Sequence, residues 1–140
     1  MKPEDGDRIL RENFAPWVQD LGLTVERVRE RGAVLRLPWS DRLAREGGGM
    51  SGQALMAAAD TAMVVAVSAA RGGFVPMTTV QQNTMFLRPV VGKDVLVSVE
   101  LTKLGRTMAF ADIVMTVEGG HEPYAHATTV YALLAEKPGS

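Results

Sequence analysis

The sequence predicts an α+β domain of two layers, a curved antiparallel sheet wrapped around one long central helix. Two observations carry this. The run from Gly47 to Ala70, GGGMSGQALMAAADTAMVVAVSAA, holds a single charged residue, Asp60. After Thr78 the pattern changes to long β-rich segments separated by Gly- and Pro-containing turns. A helix that is apolar nearly all round must be covered on more than one side. A curved sheet does this, and a partner subunit would cover the rest.

Taken in order, Ile9, Leu10, Asn13, Phe14, Trp17, Val18 and Leu21 recur at helical spacing and give one largely apolar face. The N-terminal helical region is expected over about 4–20, as a helix from Glu4 to Ala15 that breaks at Pro16 into a short turn. Leu23–Arg31 and Ala33–Trp39 are expected as strands around Arg31-Gly32. Residues 40–49 form a loop. Ser51 caps a helix from Gly52 to about Ala70, closed by Gly72-Gly73. Thr78–Leu87, Lys93–Lys103, Met108–Glu118 and Tyr124–Ala135 complete the strands. Val95, Val97, Val99 and Leu101 share one face. Two strands before the long helix and three or four after it, about five or six in all, are expected, with a frayed tail at 136–140.

At 140 residues the chain fits one domain, 1–140, with room for a core. Sixteen acidic and fifteen basic residues carry no charge block, which argues against nucleic acid as the main partner. Cysteine is absent, removing disulfides and thiolate chemistry. The N-terminus lacks the apolar core of a signal peptide, so a cytoplasmic location is expected. Met50–Ala70 approaches the length of a membrane span, but Asp60 and the many alanines favour a buried core helix, and no membrane partner is expected.

Asp60 needs a reason, because burying an unpartnered carboxylate is costly. It suits a general base or nucleophile. It equally suits a structural carboxylate bonded to Thr61 or Thr79, and the residues leave both readings open. Gly52 opens the helix, so its N–H is an orphan donor able to polarise a carbonyl oxygen. Eight helical residues separate Gly52 from Asp60, an advance of about 12 Å, too far to bracket one carbonyl. Two antiparallel copies of the helix would bring Gly52 of one chain opposite Asp60 of the other.

His121 and His126, five apart, would face opposite sides of a continuous strand, and no metal site is expected. Met50, Met56, Met63, Met77, Met85, Met108 and Met115 are expected chiefly as core filling. Lys103, Arg106 and Arg88 are solvated charges or holders of phosphate groups. GGGMSG lacks the lysine of a P-loop.

SGQALMAAADTAM, TTVQQNTMFLRPV, GRTMAFADIVMTVEGG and AHATTVYALL, in this order, resemble the hotdog-fold acyl-CoA thioesterases, with the phenylacetate-pathway branch nearest. The likeness covers about residues 21–134. It implies a hotdog fold and hydrolysis of an acyl- or aryl-CoA thioester to acid and CoA. By this resemblance Asp60 is the catalytic carboxylate, Gly52 supplies the polarising amide, and Thr79 orients water. Arg88 and Arg106 lie in segments that contact coenzyme A phosphates. No cofactor is implied beyond the coenzyme A moiety of the substrate. The family's site spans a dimer interface, implying a homodimer and further a dimer of dimers.

This chain departs from the family at three positions expected to meet substrate. Ser51 stands for the family's histidine, Gln53 for its second glycine, and Arg45 for an upstream Asn or Gln. These departures leave a second function open, an acyl-CoA-binding sensor or carrier without turnover. A dehydratase is a third and weaker option, since such enzymes usually pair the carboxylate with a histidine.

Overall fold

The computed structural model describes residues 1–134, so the expectation for the tail lies outside the described residues. The order is α1 (Pro3–Asn13), α2 (Pro16–Gln19), β1 (Thr24–Arg29), β2 (Gly32–Leu37), a 3-10 turn (Asp41–Leu43), α3 (Gly52–Arg71), β3 (Met77–Phe86), β4 (Val95–Leu104), β5 (Met108–Val117) and β6 (Ala125–Leu133). Six strands form one sheet in the order β1-β2-β4-β5-β6-β3. Every pairing is antiparallel. The sheet curls around α3 in the hotdog arrangement, with two strands before the helix and four after it.

The helix α3 forms where its caps dictate. The Ser51 hydroxyl accepts from Ala54 N–H at 3.2 Å, and Gly72 ends the helix in the left-handed region at φ 83°. Small residues let it sit close on the sheet: Ala58, Ala62 and Ala66 are fully buried alongside Met63, Val65 and Val67. Facing them are Leu35, Leu37, Val95, Val97, Ile113, Met115 and Ala127, all with no exposed surface. Burying these side chains out of water is the main force holding the two layers together. Although α3 is long and apolar enough to cross a membrane, most of it is buried against the sheet.

Two expectations at the N-terminus are corrected. Pro16 does not merely interrupt a helix; it starts the one-turn α2, because its fixed φ and missing N–H suit a first helical position. Trp17 leaves the apolar face and is 62% exposed, while Ile9, Leu10 and Leu21 stay buried. His121 lies in the turn of the last hairpin, before β6, so the alternation of a strand does not relate it to His126.

The two sheet edges differ. On the β1 edge, Asp7 of α1 accepts Val25 N–H at 2.8 Å, and Gly6 lies against Val25 so closely that a Cβ would meet it at 2.7 Å. On the β3 edge no described element covers the strand. Val80, Met85, Phe86 and Leu87 are about half exposed there, beside Met56 of α3. Met56 and Met85 are therefore not core filling, in contrast to Met50, Met63 and Met115, which are.

One irregularity matters for the site. The register of β3 against β6 runs Gln82↔Thr129, Thr84↔Ala127 and Phe86↔Ala125 on the inner face, then shifts between Thr79 and Gln81. Gln81 pairs with Val130 and Thr79 with Tyr131, leaving Val80 as the extra residue of a bulge. Without the bulge, alternation would send Thr79 to the outer face. With it, Thr79 turns inward beneath α3.

Candidate active site

Asp60 lies on the turn of α3 that crosses the start of β3, and its carboxylate is half-buried. The Thr79 hydroxyl donates to Asp60 Oδ1 at 2.7 Å. The Tyr131 hydroxyl, from the inner face of β6, also meets Oδ1 and lies 2.6 Å from the Asp60 main-chain oxygen. Oδ2 takes no hydrogen bond among the described residues. Of the two partners open for Asp60 in the sequence, Thr79 is the one used. Thr61 instead donates to Ala57 O at 2.7 Å.

Tyr131 is 2% exposed. Burial first, then the neighbouring Asp60 charge, pushes its phenol well above the usual tyrosine range. It therefore stays protonated and donates. Sequence reasoning missed this residue. The available signal was a tyrosine at an inward position of an apolar strand, where its hydroxyl must find a partner.

Gly52 lies at the first position of α3, and its N–H finds no acceptor among the described residues. The Phe86 ring sits over it, so close that an added Cβ would lie 3.2 Å from the ring's Cζ. A cleft of about 410 Å³ opens here, lined by Gly52, Phe86, Leu55, Arg45, Arg88 and Val90 among others. Three residues singled out from sequence, Gly52, Arg45 and Arg88, thus share one cleft. Phe86, which forms its apolar wall, was not among them. Arg45 Nη1 donates to Glu46 O at 2.9 Å, and Arg88 Nη1 pairs with Glu122 at 3.0 Å.

Ser51 and Gln53 line a separate hollow of about 260 Å³ on the other side of the helix start, with Trp17, Leu21, Leu43 and Ala54. The Ser51 hydroxyl serves the helix cap. Arg106 lies far from both hollows, in the β4–β5 turn. The neighbouring Gly105 carbonyl accepts a hydrogen bond from Arg71, the last residue of α3, so Arg106 belongs to the opposite end of the helix. Within one chain, then, the Asp60–Thr79 pair, the Gly52 cleft and Arg106 occupy three stations along α3.

Chemically, the first station offers a carboxylate oriented by two hydroxyls, suited to activate water or attack a carbonyl. The second offers a free amide at the positive end of a helix dipole, beside two guanidinium groups, suited to an acyl oxygen and an anionic handle. Among the described residues, no group of three or more His, Asp or Glu side chains is placed to hold a metal ion.

The family model described as "Thioesterase superfamily" matches residues 47–124, more than half of the chain. An esterase candidate from Thermoplasma acidophilum, Ta0293, is 26% identical over 97 residues, which span 69% of this chain and 73% of that protein. Among solved structures, a thioesterase candidate from Silicibacter sp. TM1040 superposes with a TM-score of 0.85 at 29% identity, covering 96% of this chain and 93% of the other. The PaaI protein of the E. coli phenylacetic acid degradation operon superposes with a TM-score of 0.82, covering 96% and 97%. At 16% identity that last likeness concerns the fold alone.

Proposed function

Because the chain belongs to the thioesterase superfamily, we propose that it hydrolyses an acyl- or aryl-CoA thioester at a site shared between two copies of the chain. Gly52 N–H of one copy stabilises the oxyanion as the thioester carbonyl is attacked. Asp60 of the other copy acts as general base on water, or as the nucleophile itself. Thr79 orients the carboxylate. Arg45 and Arg88 receive the phosphate-bearing handle from the Gly52 side, and Arg106 of the partner subunit does so from the far end of its helix. Ser51 and Gln53 shape the mouth of the neighbouring hollow.

The observation that carries this reading is a pair of contacts along one strand. Asp60 bonds Thr79 near the start of β3, while Gly52 lies under Phe86 at its end. The β3 edge has no described neighbour and bears half-exposed Val80, Met85 and Phe86. An uncovered apolar edge strand is a template for pairing with another chain. Antiparallel pairing of β3 with its copy, about a two-fold axis between Gln82 and Asn83, sets Thr79 of one chain against Phe86 of the other. Asp60 then approaches the partner's Gly52, the approach a single chain forbids by about 12 Å of helix. The outer face of the same sheet is available for a dimer of dimers.

The test is thiol release over a panel of aliphatic and aromatic acyl-CoAs, for wild type and Asp60→Asn, with native mass measured in parallel. Turnover that disappears in the variant, from an even-numbered assembly, supports the hydrolase. Tight binding with no turnover on any substrate indicates a sensor or carrier. A strict monomer removes the shared site.

A further inference from the structure

Asp60 has two carboxylate oxygens, and they differ in a way the shared-site reading does not use. Oδ1 is held from two strands at once, by Thr79 of β3 and by Tyr131 of β6. Oδ2 has no partner among the described residues. We infer that Tyr131 is a positioning residue: its hydroxyl, with that of Thr79, pins Oδ1 and leaves Oδ2 as the oxygen that meets water or the thioester.

The geometry supports a role in orientation more than in binding. Tyr131 is buried under α3 at the inner face of β6, between Ala109 on β5 and Thr79 on β3. It has almost no exposed surface through which to meet a substrate, and it lines neither hollow at the helix start. The small Ala109 leaves the ring room to reach α3. Its hydroxyl also approaches the Asp60 main-chain oxygen at 2.6 Å, so it references the carboxylate to the helix backbone as well as to the sheet. An aspartate side chain has two torsions, and a free carboxylate exchanges its oxygens by rotating about the second. Two donors on one oxygen stop that rotation, and small errors in orientation cost large factors in rate. Burial keeps the phenol protonated, so the donor persists through the working pH range.

This inference rests on the hydrolase reading, and the experiment separates the two. Tyr131→Phe keeps the ring and deletes the hydroxyl. It is expected to lower kcat roughly tenfold or more while KM stays within about twofold, because ground-state binding does not involve Tyr131. Thermal unfolding provides the check that the variant is folded. Unchanged kcat in folded Tyr131→Phe, or full turnover in Asp60→Asn, overturns the inference, while a wild type that releases no thiol from any acyl-CoA of the panel overturns the hydrolase reading instead. If Tyr131→Phe does not fold, 3-fluorotyrosine carries the test. The chain has two tyrosines, so a Tyr124→Phe background labels Tyr131 alone. The expected results are a fluorine resonance that moves on Asp60→Asn and a kcat altered by about twofold or more at constant KM, since the phenol's donor strength changes while its shape is kept. A resonance indifferent to Asp60, or an unaltered kcat, overturns the inference.

Discussion

Thr79 donates to Asp60 at 2.7 Å because the bulge at Val80 reverses the facing of the strand just before it. The catalytic proposal therefore depends on a single extra residue in β3. Thr79→Val keeps the shape and removes the donor. It is expected to reduce kcat roughly tenfold, about 1.4 kcal/mol of transition-state stabilisation, with little change in melting temperature. Thr79→Ser should retain most activity. Steady-state kinetics on the best substrate of the acyl-CoA panel provides the check. Equal activity in wild type and Thr79→Val would remove Thr79 from the mechanism.

Gly52→Ala tests the cleft. The new Cβ would lie 3.2 Å from the Phe86 ring, which must give by a few tenths of an ångström. Stability should change by less than about 1 kcal/mol, because the helical backbone accepts alanine and the ring relaxes. The displaced ring narrows the cleft beside the amide, so kcat/KM is expected to fall by roughly tenfold. Thermal melts and kinetics, measured together, distinguish this from simple unfolding.

The Ser51 hydroxyl caps α3. Ser51→Ala should cost about 1 kcal/mol, a fall of roughly 3 °C in Tm for a domain of this size. Turnover should persist, since the Gly52 amide remains. A variant of unchanged Tm but lost activity would move Ser51 from the helix cap to the chemistry.

Asp94 accepts from Trp39 N–H at 2.8 Å and pairs with Arg36 at 2.9 Å. The amide first, and then the guanidinium, hold its carboxyl below the usual carboxylate range. A group whose folded pKa is depressed stabilises the fold above its unfolded pKa, and loses that contribution as pH falls through the folded one. Asp94→Asn should therefore be less stable than wild type at neutral pH. The gap should narrow from about pH 4 downward and close only below the depressed folded pKa, where the wild-type carboxyl is protonated as well. Denaturant melts across pH 2–7, on the order of one per unit, measure this directly.

Thr129 is 2% exposed, and its hydroxyl has no hydrogen-bond partner among the described residues. Thr129→Val replaces a buried polar group by an apolar one of the same shape. The expected outcome is a neutral or raised Tm, with a gain of up to roughly 1 kcal/mol. A marked loss would reveal a partner for the hydroxyl in the assembled protein.

Much of this molecule was legible in residue order alone. The apolar run around Asp60, its Ser51 cap and its Gly72 stop define α3 to within one residue, because caps and apolar periodicity are local signals. The four later strands followed from alternation and turns, and the α+β wrap followed from a helix needing cover all round. The eight-residue spacing of Gly52 and Asp60 already implied that one chain cannot join them. Tertiary structure alone decided which partner holds Asp60. Thr61 and Thr79 were equal candidates by type, and only the register shift at Val80 chose between them. Tyr131 lies 71 residues from Asp60, and nothing in local spacing links them. Likewise, only sheet order revealed that α1 covers β1 while β3 is left open. Local sequence determines where an element begins and ends. Which side chains meet depends on register and strand order, which are settled by packing across the whole sheet.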